Sequence, residues 1–230
     1  MTAIVGVYCK DGVVIGSDSS TTFTIGQIGI IEQPTKKIDI IGDNVIVAGT
    51  GQVGLGQRFC AVVRKAYEDR IFNKSPIEIG KILCANGRQD FASTGVTMDS
   101  YGALVAFTTP QRFHLFEFAT HDFQPEQKTD RIWYVSMGSG QMITDPFLAF
   151  IRQVFWNNGV PTIQEAMFAV TWTLDHAISV NAGGINGPIQ MAVLEKNSNE
   201  RLKARFVRED ELSEHRQNIY EAISLLREYR

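Results

Sequence analysis

Thr2 is the residue of this chain with the clearest potential for chemistry. It follows Met1 and opens an apolar segment over residues 3–9. A small second residue allows removal of the initiator methionine, which would leave a threonine with both a hydroxyl and a free α-amine. The α-amine has an ordinary pKa of about 7.7–8.0, near working pH, where a general base is most effective. Thr2 therefore combines a candidate nucleophile and a candidate base in one residue.

Three further segments are expected to converge on Thr2. Asp18 lies at the end of a second predicted strand, and a hairpin places that end beside the start of the first strand. Lys37 opens another predicted strand, within Lys36-Lys37-Ile38. A fourth strand ends in the glycines of residues 48–51, whose backbone N–H groups are accessible. The pattern predicts a carboxylate, an ammonium group and free amides near one hydroxyl.

The composition limits the classes of function. The chain has 230 residues, 44% of them hydrophobic, and a formal net charge of -3, which does not favour a nucleic-acid surface. No signal peptide and no apolar run long enough to cross a membrane is visible, so we expect a soluble, cytoplasmic protein. The three cysteines have no metal-ligand spacing and are interpreted as buried thiols of a reducing compartment.

Hydrophobic periodicity predicts strands and helices in alternating groups. Strands are predicted at 3–9, 13–16, 37–41, 45–48, 95–99, 103–108, 112–118, 132–137, 189–194 and 204–207. Helices are predicted at about 53–72, 75–90, 142–156, 162–180 and 209–230, with a loop over 121–131. Residues 75–78 and 162–165 both have the sequence of a capping box. We expect an α/β (α+β) fold, a four-layer αββα sandwich of two antiparallel sheets with helices on both faces, as one domain over 1–230.

The ordered motifs, taken together, resemble a proteasome β subunit. They are Thr2 with its apolar strand, Lys10-Asp11-Gly12-Val13-Val14, Ser17-Asp18-Ser19, Lys36-Lys37-Ile38, Val47-Ala48-Gly49, Gly138-Ser139-Gly140 and Gly183-Gly184 before a late strand. The resemblance covers the chain to about residue 194. The chain resembles the bacterial members, which include the heat-shock-locus peptidase and are amino-terminal-nucleophile hydrolases, more than it resembles the α-type subunits.

The resemblance implies a catalytic role for five positions. Thr2 matches the nucleophile, and its α-amine matches the base that accepts the hydroxyl proton. Lys37 matches the catalytic lysine, whose charge favours ionisation of its neighbours, and Asp18 matches the acid that orients it. The backbone N–H of Gly49 matches the donor to the oxyanion, a contribution of about 3–4 kcal/mol. Ser139 matches the serine that holds the terminal amine.

The resemblance also implies a substrate and an assembly. Thr22 and Gly51 match positions that line the substrate groove, and Val47 matches the base of the specificity pocket, where an aliphatic wall favours apolar side chains. The implied activity is that of a threonine peptidase in a self-compartmentalising homo-oligomeric ring. Its substrates are peptides or unfolded proteins, with an unfolding ATPase as candidate partner. No metal, organic cofactor, nucleic acid or membrane is implied.

One position departs from the family pattern. Many members have an aspartate, with a serine three residues later, just before Gly-Gly. Counting back from Gly183-Gly184 places Ser179 and Ala182 there, and Asp175 lies one helical turn too early. Asn181 is the candidate substitute, by hydrogen bonding.

Three alternatives remain at this stage. The departure above, and retention of Met1, favour a catalytically inactive proteasome-like scaffold subunit. An amino-terminal-nucleophile hydrolase of small amides is also compatible. Gly49-x-Gly51-x-x-Gly54 fits a dinucleotide-binding fingerprint, but its strand is predicted to lie in a hairpin rather than in a βαβ unit.

Overall fold

The computed structural model describes residues 1–229 except 26–27, 96–99, 111, 157–158, 182 and 198. Its strands are β1 (Ile4–Tyr8), β2 (Gly12–Ser17), β3 (Ser20–Ile25), β4 (Ile28–Pro34), β5 (Ile38–Ile41), β6 (Val45–Gly51), β7 (Tyr101–Thr109), β8 (Arg112–Phe118), β9 (Pro125–Gln127), β10 (Tyr134–Met137), β11 (Gln190–Lys196) and β12 (Leu202–Phe206). Its α-helices are α1 (Val53–Glu68), α2 (Pro76–Ala92), α3 (Gln141–Phe155), α4 (Ile163–Val180) and α5 (Glu209–Arg227).

Two five-stranded sheets form the centre of the fold. The first has the order β10-β1-β2-β11-β12 and the second the order β5-β6-β7-β8-β9. Every neighbouring pair in both sheets is antiparallel. Strands β1, β2 and β7 are apolar along most of their length and buried on both faces, because each sheet is covered on both sides.

Three clusters of buried side chains show the layers. One lies between the two sheets and includes Ile4, Ile15 and Leu104. A second joins the first sheet to α3, α4 and α5, and a third joins the second sheet to α1 and α2. The order of layers is helices, sheet, sheet, helices, so the predicted αββα sandwich of antiparallel sheets is confirmed.

One predicted helix end and one predicted capping box were wrong. The first helix was expected to reach residue 72, but α1 ends at Glu68 and is followed by a 3-10 turn at Ile71–Asn73. Arg70 adopts a left-handed conformation (φ 59°) between the two, which an α-helix cannot continue through. The capping box at 75–78 is not formed: Ser75 makes no cap hydrogen bond, and Glu78 pairs with Lys74 Nζ at 2.8 Å. The box at Thr162 and Glu165 is confirmed.

Two β segments, the β3–β4 hairpin and strand β9, were not predicted from the sequence, and one predicted strand lies mostly outside the described residues. The separate hairpin of β3 and β4 was not predicted, although its residues are rich in Thr and Ile. Strand β9 lies in the expected loop over 121–131 and pairs with β8, where the buried Lys128 ammonium bonds Glu117 and Glu126 at 2.6 Å each. Residues 96–99 of the strand predicted at 95–99 lie outside the described residues.

Candidate active site

The amino-terminal segment lies where the ends of both sheets meet. Strand β1 begins at Ile4, whose register partner on β2 is Ser17, so Asp18 is held next to residues 2 and 3. The Asp18 amide donates to the Ala3 carbonyl at 3.1 Å, and the Ala3 amide donates to Asp18 Oδ1 at 2.9 Å. The structure thus brings the end of the second strand beside residues 2 and 3, as hairpin geometry predicted.

Lys37 connects Thr2 to Asp18. Its Nζ lies 2.7 Å from Asp18 Oδ1 and 3.2 Å from Thr2 Oγ1. The side chains of Lys37 and Asp18 are only 5% and 0% exposed, so this ion pair is shielded from water. Asp18 Oδ2 also accepts the Ser20 amide at 3.1 Å, which gives the buried carboxylate a second backbone donor.

Burial acts against the charges of this cluster. It lowers the pKa of the Lys37 ammonium, and the neighbouring Asp18 carboxylate opposes that effect. Burial also lowers the pKa of the Met1 α-amine, helped by the Lys37 charge and opposed by Asp18 and Glu32. The Asp18 carboxylate therefore favours the charged state of Lys37, which burial alone disfavours.

Ser139 and the adjoining glycines hold Thr2 from the first sheet's edge. The Thr2 amide donates to Ser139 Oγ at 3.1 Å, and the Gly140 amide donates to the Thr2 carbonyl at 2.9 Å. Gly138 has φ +95°, and a Cβ there would lie 2.3 Å from the Thr2 carbonyl oxygen. A side chain is excluded at this position by conformation and by space.

A cleft of about 390 Å³ opens beside Thr2 between β5, β6 and α1. Gly49, Gly51 and Val47 line it together with Thr2. Thr22 does not line this cleft. It lines an adjoining cavity of about 390 Å³ on the other side of Thr2, with Ser139 and Gly51, and its Oγ1 accepts the Met1 amine at 3.2 Å.

The cleft is more polar than its Val47 wall suggested. Asp39 is the register partner of Val47 on β5, so its carboxylate faces the same cleft. Cys60 on α1 donates from Sγ to Asp39 Oδ2 at 3.7 Å, and burial together with this carboxylate raises the pKa of the thiol to about 12. Cys60 is thus partly exposed to the cleft rather than fully buried, whereas Cys9 and Cys84 are buried.

Some residues near Thr2 were not found from the sequence. Asp39 could have been found, because it alternates with Lys37 along a strand and must share its face. Tyr101 carried no local signal, because it reaches the cleft from β7. Asn181, the suggested substitute for the late acid, donates its amide to the Gly183 carbonyl and has no described bond to Thr2, Lys37 or Ser139.

The comparisons with known proteins agree with this architecture. The model of the proteasome subunit family matches residues 2–150, which include every predicted site residue. The chain belongs to the proteasome subunit family. It is 29% identical, over 200 residues, to the proteasome subunit beta type-7 of Dictyostelium discoideum, covering 84% of this chain and 67% of that protein.

Solved structures show the same fold. The Anbu ancestral beta-subunit from Yersinia bercovieri aligns with a TM-score of 0.75 at 16% identity, covering 98% of this chain and 96% of that one. A structure described as a helical assembly of the Anbu complex from Pseudomonas aeruginosa has a TM-score of 0.71, the same identity and the same coverage. At this identity the likeness concerns the fold of the chain alone.

The same architecture answers one other interpretation of the sequence. Strand β6, which carries Gly49 and Gly51, pairs antiparallel with both β5 and β7, so it is not part of a parallel βαβ dinucleotide-binding unit. Among the described residues, no group of three His, Cys, Asp or Glu is arranged to hold a metal ion. None of the described helices is both long and apolar enough to span a membrane.

Proposed function

We propose that this proteasome-family chain is a threonine peptidase whose nucleophile is Thr2, freed by removal of Met1. The observation that carries the proposal is the contact of Lys37 Nζ with both Thr2 Oγ1 (3.2 Å) and Asp18 Oδ1 (2.7 Å). A hydroxyl beside a buried ammonium loses its proton more readily than a free one. The shielded environment of Lys37 strengthens this effect, because water does not screen the charge.

Each neighbour of Thr2 has a place in the reaction. The freed α-amine of Thr2 accepts the hydroxyl proton while Oγ1 attacks the carbonyl carbon of the scissile peptide bond. The N–H of Gly49 donates to the resulting oxyanion, and Asp18 keeps Lys37 charged and oriented. Collapse of the intermediate breaks the C–N bond, and the ammonium of Thr2 returns its proton to the leaving amine. Water, activated by the same amine, then hydrolyses the ester on Thr2.

The two cavities beside Thr2 fit an extended peptide. The cleft lined by Val47, Gly49 and Gly51 would accept the side chain before the scissile bond, and the cavity lined by Thr22 would accept the chain beyond it. Substrates are accordingly peptides or unfolded protein segments rather than small amides, because a small amide would leave one cavity empty.

The proposal extends to the assembly. Membership of the proteasome subunit family supports a homo-oligomeric ring of single-domain subunits, each spanning residues 1–230, that encloses the sites in the cytoplasm. An unfolding ATPase is the candidate partner that would supply substrates. The solved helical assembly of an Anbu complex supports oligomer formation by this fold.

A pair of variants tests the peptidase. Wild-type protein with residue 2 shown to be its terminal residue is expected to cleave fluorogenic peptides, with formation of a covalent ester detectable by mass spectrometry. Thr2→Ala should abolish cleavage and ester formation, while Thr2→Ser should retain part of both because it keeps the hydroxyl. Full cleavage by Thr2→Ala would refute the proposal.

The second candidate is an inactive scaffold subunit. The state in which Met1 is still attached favours this candidate, because the nitrogen of Thr2 is then a peptide amide and cannot act as a base. In that state Thr2 Oγ1 donates a hydrogen bond to the Met1 carbonyl at 2.8 Å. Assembled particles that keep Met1 and cleave no peptide, as judged by electron microscopy and terminal sequencing on one sample, would support the scaffold.

A further inference from the structure

The backbone of Lys37 lies just outside the strand ladder of its own sheet. Strand β5 starts at Ile38, so the ladder that joins β5 to β6 begins one residue after Lys37. Thr2 and Asp18 adjoin β1 and β2, which belong to the first sheet, whereas β5 belongs to the second. The contacts of the Lys37 ammonium with them therefore depend on what fixes residues 35–37 relative to the first sheet.

Gln190 reaches this segment from the first sheet. It is the first residue of β11, and its register partner on β2 is Ser17, which in turn lies opposite Ile4 on β1. Residues directly opposite each other on paired strands project to the same face. Because Ile4 belongs to the cluster between the sheets, the side chain of Gln190 projects towards the second sheet.

The carboxamide of Gln190 binds the backbone on both sides of Lys36. Its Oε1 accepts a hydrogen bond from the Lys37 amide at 3.0 Å, and its Nε2 donates to the Thr35 carbonyl at 2.7 Å. A carboxamide carries an acceptor and a donor side by side, so it satisfies an N–H and a C=O together, which neither a carboxylate nor an ammonium group could do. Neither bond involves an atom of Met1, so both are compatible with its removal.

The other contacts of this segment hold it less completely. The Thr35 amide donates to the Ser19 carbonyl at 2.8 Å, which attaches the start of the segment to the chain just after β2. Lys36 pairs with Asp39 at 2.8 Å, but these side chains are 58% and 38% exposed, and solvent weakens such a pair. Thr35 is thus held twice, whereas the described acceptor of the Lys37 amide is the Gln190 side chain.

We propose that Gln190 is a positioning residue, which clamps residues 35–37 against the first sheet. The clamp sets the distances from Lys37 Nζ to Thr2 Oγ1 and Asp18 Oδ1. Among the described residues, those that line the two cavities beside Thr2 do not include Gln190, so it acts through Lys37 rather than on a bound peptide. The effect on catalysis rests on the peptidase proposal, but the clamp itself can be measured without turnover.

Hydrogen–deuterium exchange in the full-length protein measures the clamp. Gln190→Met keeps an unbranched side chain and removes both hydrogen-bonding groups, so the Lys37 amide should exchange about 2- to 10-fold faster, as read by mass spectrometry with single-residue fragmentation. The amides that join β11 to β2 should keep their exchange rates. Gln217→Met is the matched control, because it removes an exposed glutamine bond to Glu221 Oε1 at 2.9 Å on α5 and should leave exchange at residue 37 unchanged.

Steady-state kinetics measures the consequence for peptide cleavage. A displacement of the Lys37 ammonium by about 1 Å should lower kcat by about 10- to 10²-fold in Gln190→Met. KM should stay unchanged, because Gln190 is not among the described residues that line the cavities. Gln190→Asn keeps the carboxamide but is one methylene shorter, so it should change exchange and kcat in the same direction, and it decides the matter if Gln190→Met does not fold.

The outcomes separate the clamp from the peptidase. Unchanged exchange at residue 37, in Gln190→Met or in Gln190→Asn where Gln190→Met does not fold, overturns the clamp whether or not the protein cleaves peptides. Faster exchange along the whole of β11, or an unchanged kcat in a protein that cleaves peptides, also overturns the positioning role. Faster exchange confined to residue 37 in a protein without cleavage supports the clamp and counts against the peptidase alone.

Discussion

Replacing Lys37 with methionine should show how much the buried Lys37–Asp18 pair contributes to the free energy of unfolding. The ammonium of Lys37 is the one cationic side chain within described ion-pair distance of Asp18, and the two side chains are 5% and 0% exposed. Removing one partner of a buried pair leaves an uncompensated charge and costs about 3–5 kcal/mol. Asp18 keeps two backbone N–H donors, from Ala3 and Ser20, so we expect the lower end of this range, about 3 kcal/mol.

Urea and thermal unfolding at one fixed protein concentration measure the effect. A chain of this size loses about 2–4 °C in Tm for each kcal/mol, so Lys37→Met should melt about 6–12 °C below the wild type. Lys65→Met is the matched control. It breaks a pair of the same length, 2.7 Å to Asp69, in which the side chains are 69% and 48% exposed, and it should leave Tm unchanged because solvent already screens that pair.

A double variant identifies the cause. Asp18→Asn combined with Lys37→Met removes both charges, so it should be more stable than Lys37→Met alone if an unpaired buried carboxylate is the source of the loss. Equal melting of Lys37→Met and Lys65→Met, or a double variant less stable than Lys37→Met, would refute this reasoning. Lys37→Met should also lose peptide cleavage, since the cation that favours ionisation of Thr2 is gone.

Three further predictions follow from other contacts. Gly49→Ala places a Cβ 2.2 Å from Tyr101 Oη, so the strand or the ring must move. If the N–H of residue 49 donates to the oxyanion, kcat/KM for peptide cleavage should fall about 10²-fold. An unchanged kcat/KM would contradict the role proposed for this N–H. Burial lowers the pKa of His114 to about 4, from an unfolded value near 6.5, so the native state loses stability as the pH falls from 6.5 towards 4. The expected loss in the free energy of unfolding between pH 7 and 5 is about 2 kcal/mol. In His114→Gln, the free energy of unfolding in urea should depend less on pH over this range. Cys60, with a pKa of about 12, should be alkylated by iodoacetamide at pH 8 about 10³-fold more slowly than a free thiol. Asp39→Asn should increase the rate of alkylation, and mass spectrometry of the labelled peptide measures both rates.

Much of the architecture was predictable because hydrophobic periodicity is strong in this chain. The fully buried strands β1, β2 and β7 read as short apolar runs between turn signals, and α4 begins at a capping box that forms as expected. The convergence of Asp18 on residues 2 and 3 followed from hairpin geometry alone. Hairpin geometry gives no such reason for Lys37, whose strand belongs to the other sheet, although its convergence on Thr2 was also expected and is observed.

The failures have physical reasons. The β3–β4 hairpin packs as a separate two-stranded unit, so its residues lack the alternation that burial on one face produces. Strand β9 is only three residues long and is fixed by the tertiary contacts of Lys128, which a sequence window does not contain. The expected apolar pocket was inferred from Val47 alone, whereas its cross-strand partner Asp39 brings a carboxylate to the same wall.

The residues of the candidate site are divided between the two sheets, which has a mechanical consequence. Thr2 and Asp18 are fixed to β1 and β2, whereas Gly49 belongs to β6 of the opposite sheet and Lys37 immediately precedes β5. At Gly6 the sheets approach so closely that a Cβ would lie 2.7 Å from Leu104 Cδ1. The spacing between the two sheets therefore sets the distance from the Thr2 hydroxyl to Lys37 and Gly49. A larger side chain in the sandwich interior would increase that distance while each sheet stayed intact. We expect such a substitution to reduce activity before it unfolds the protein.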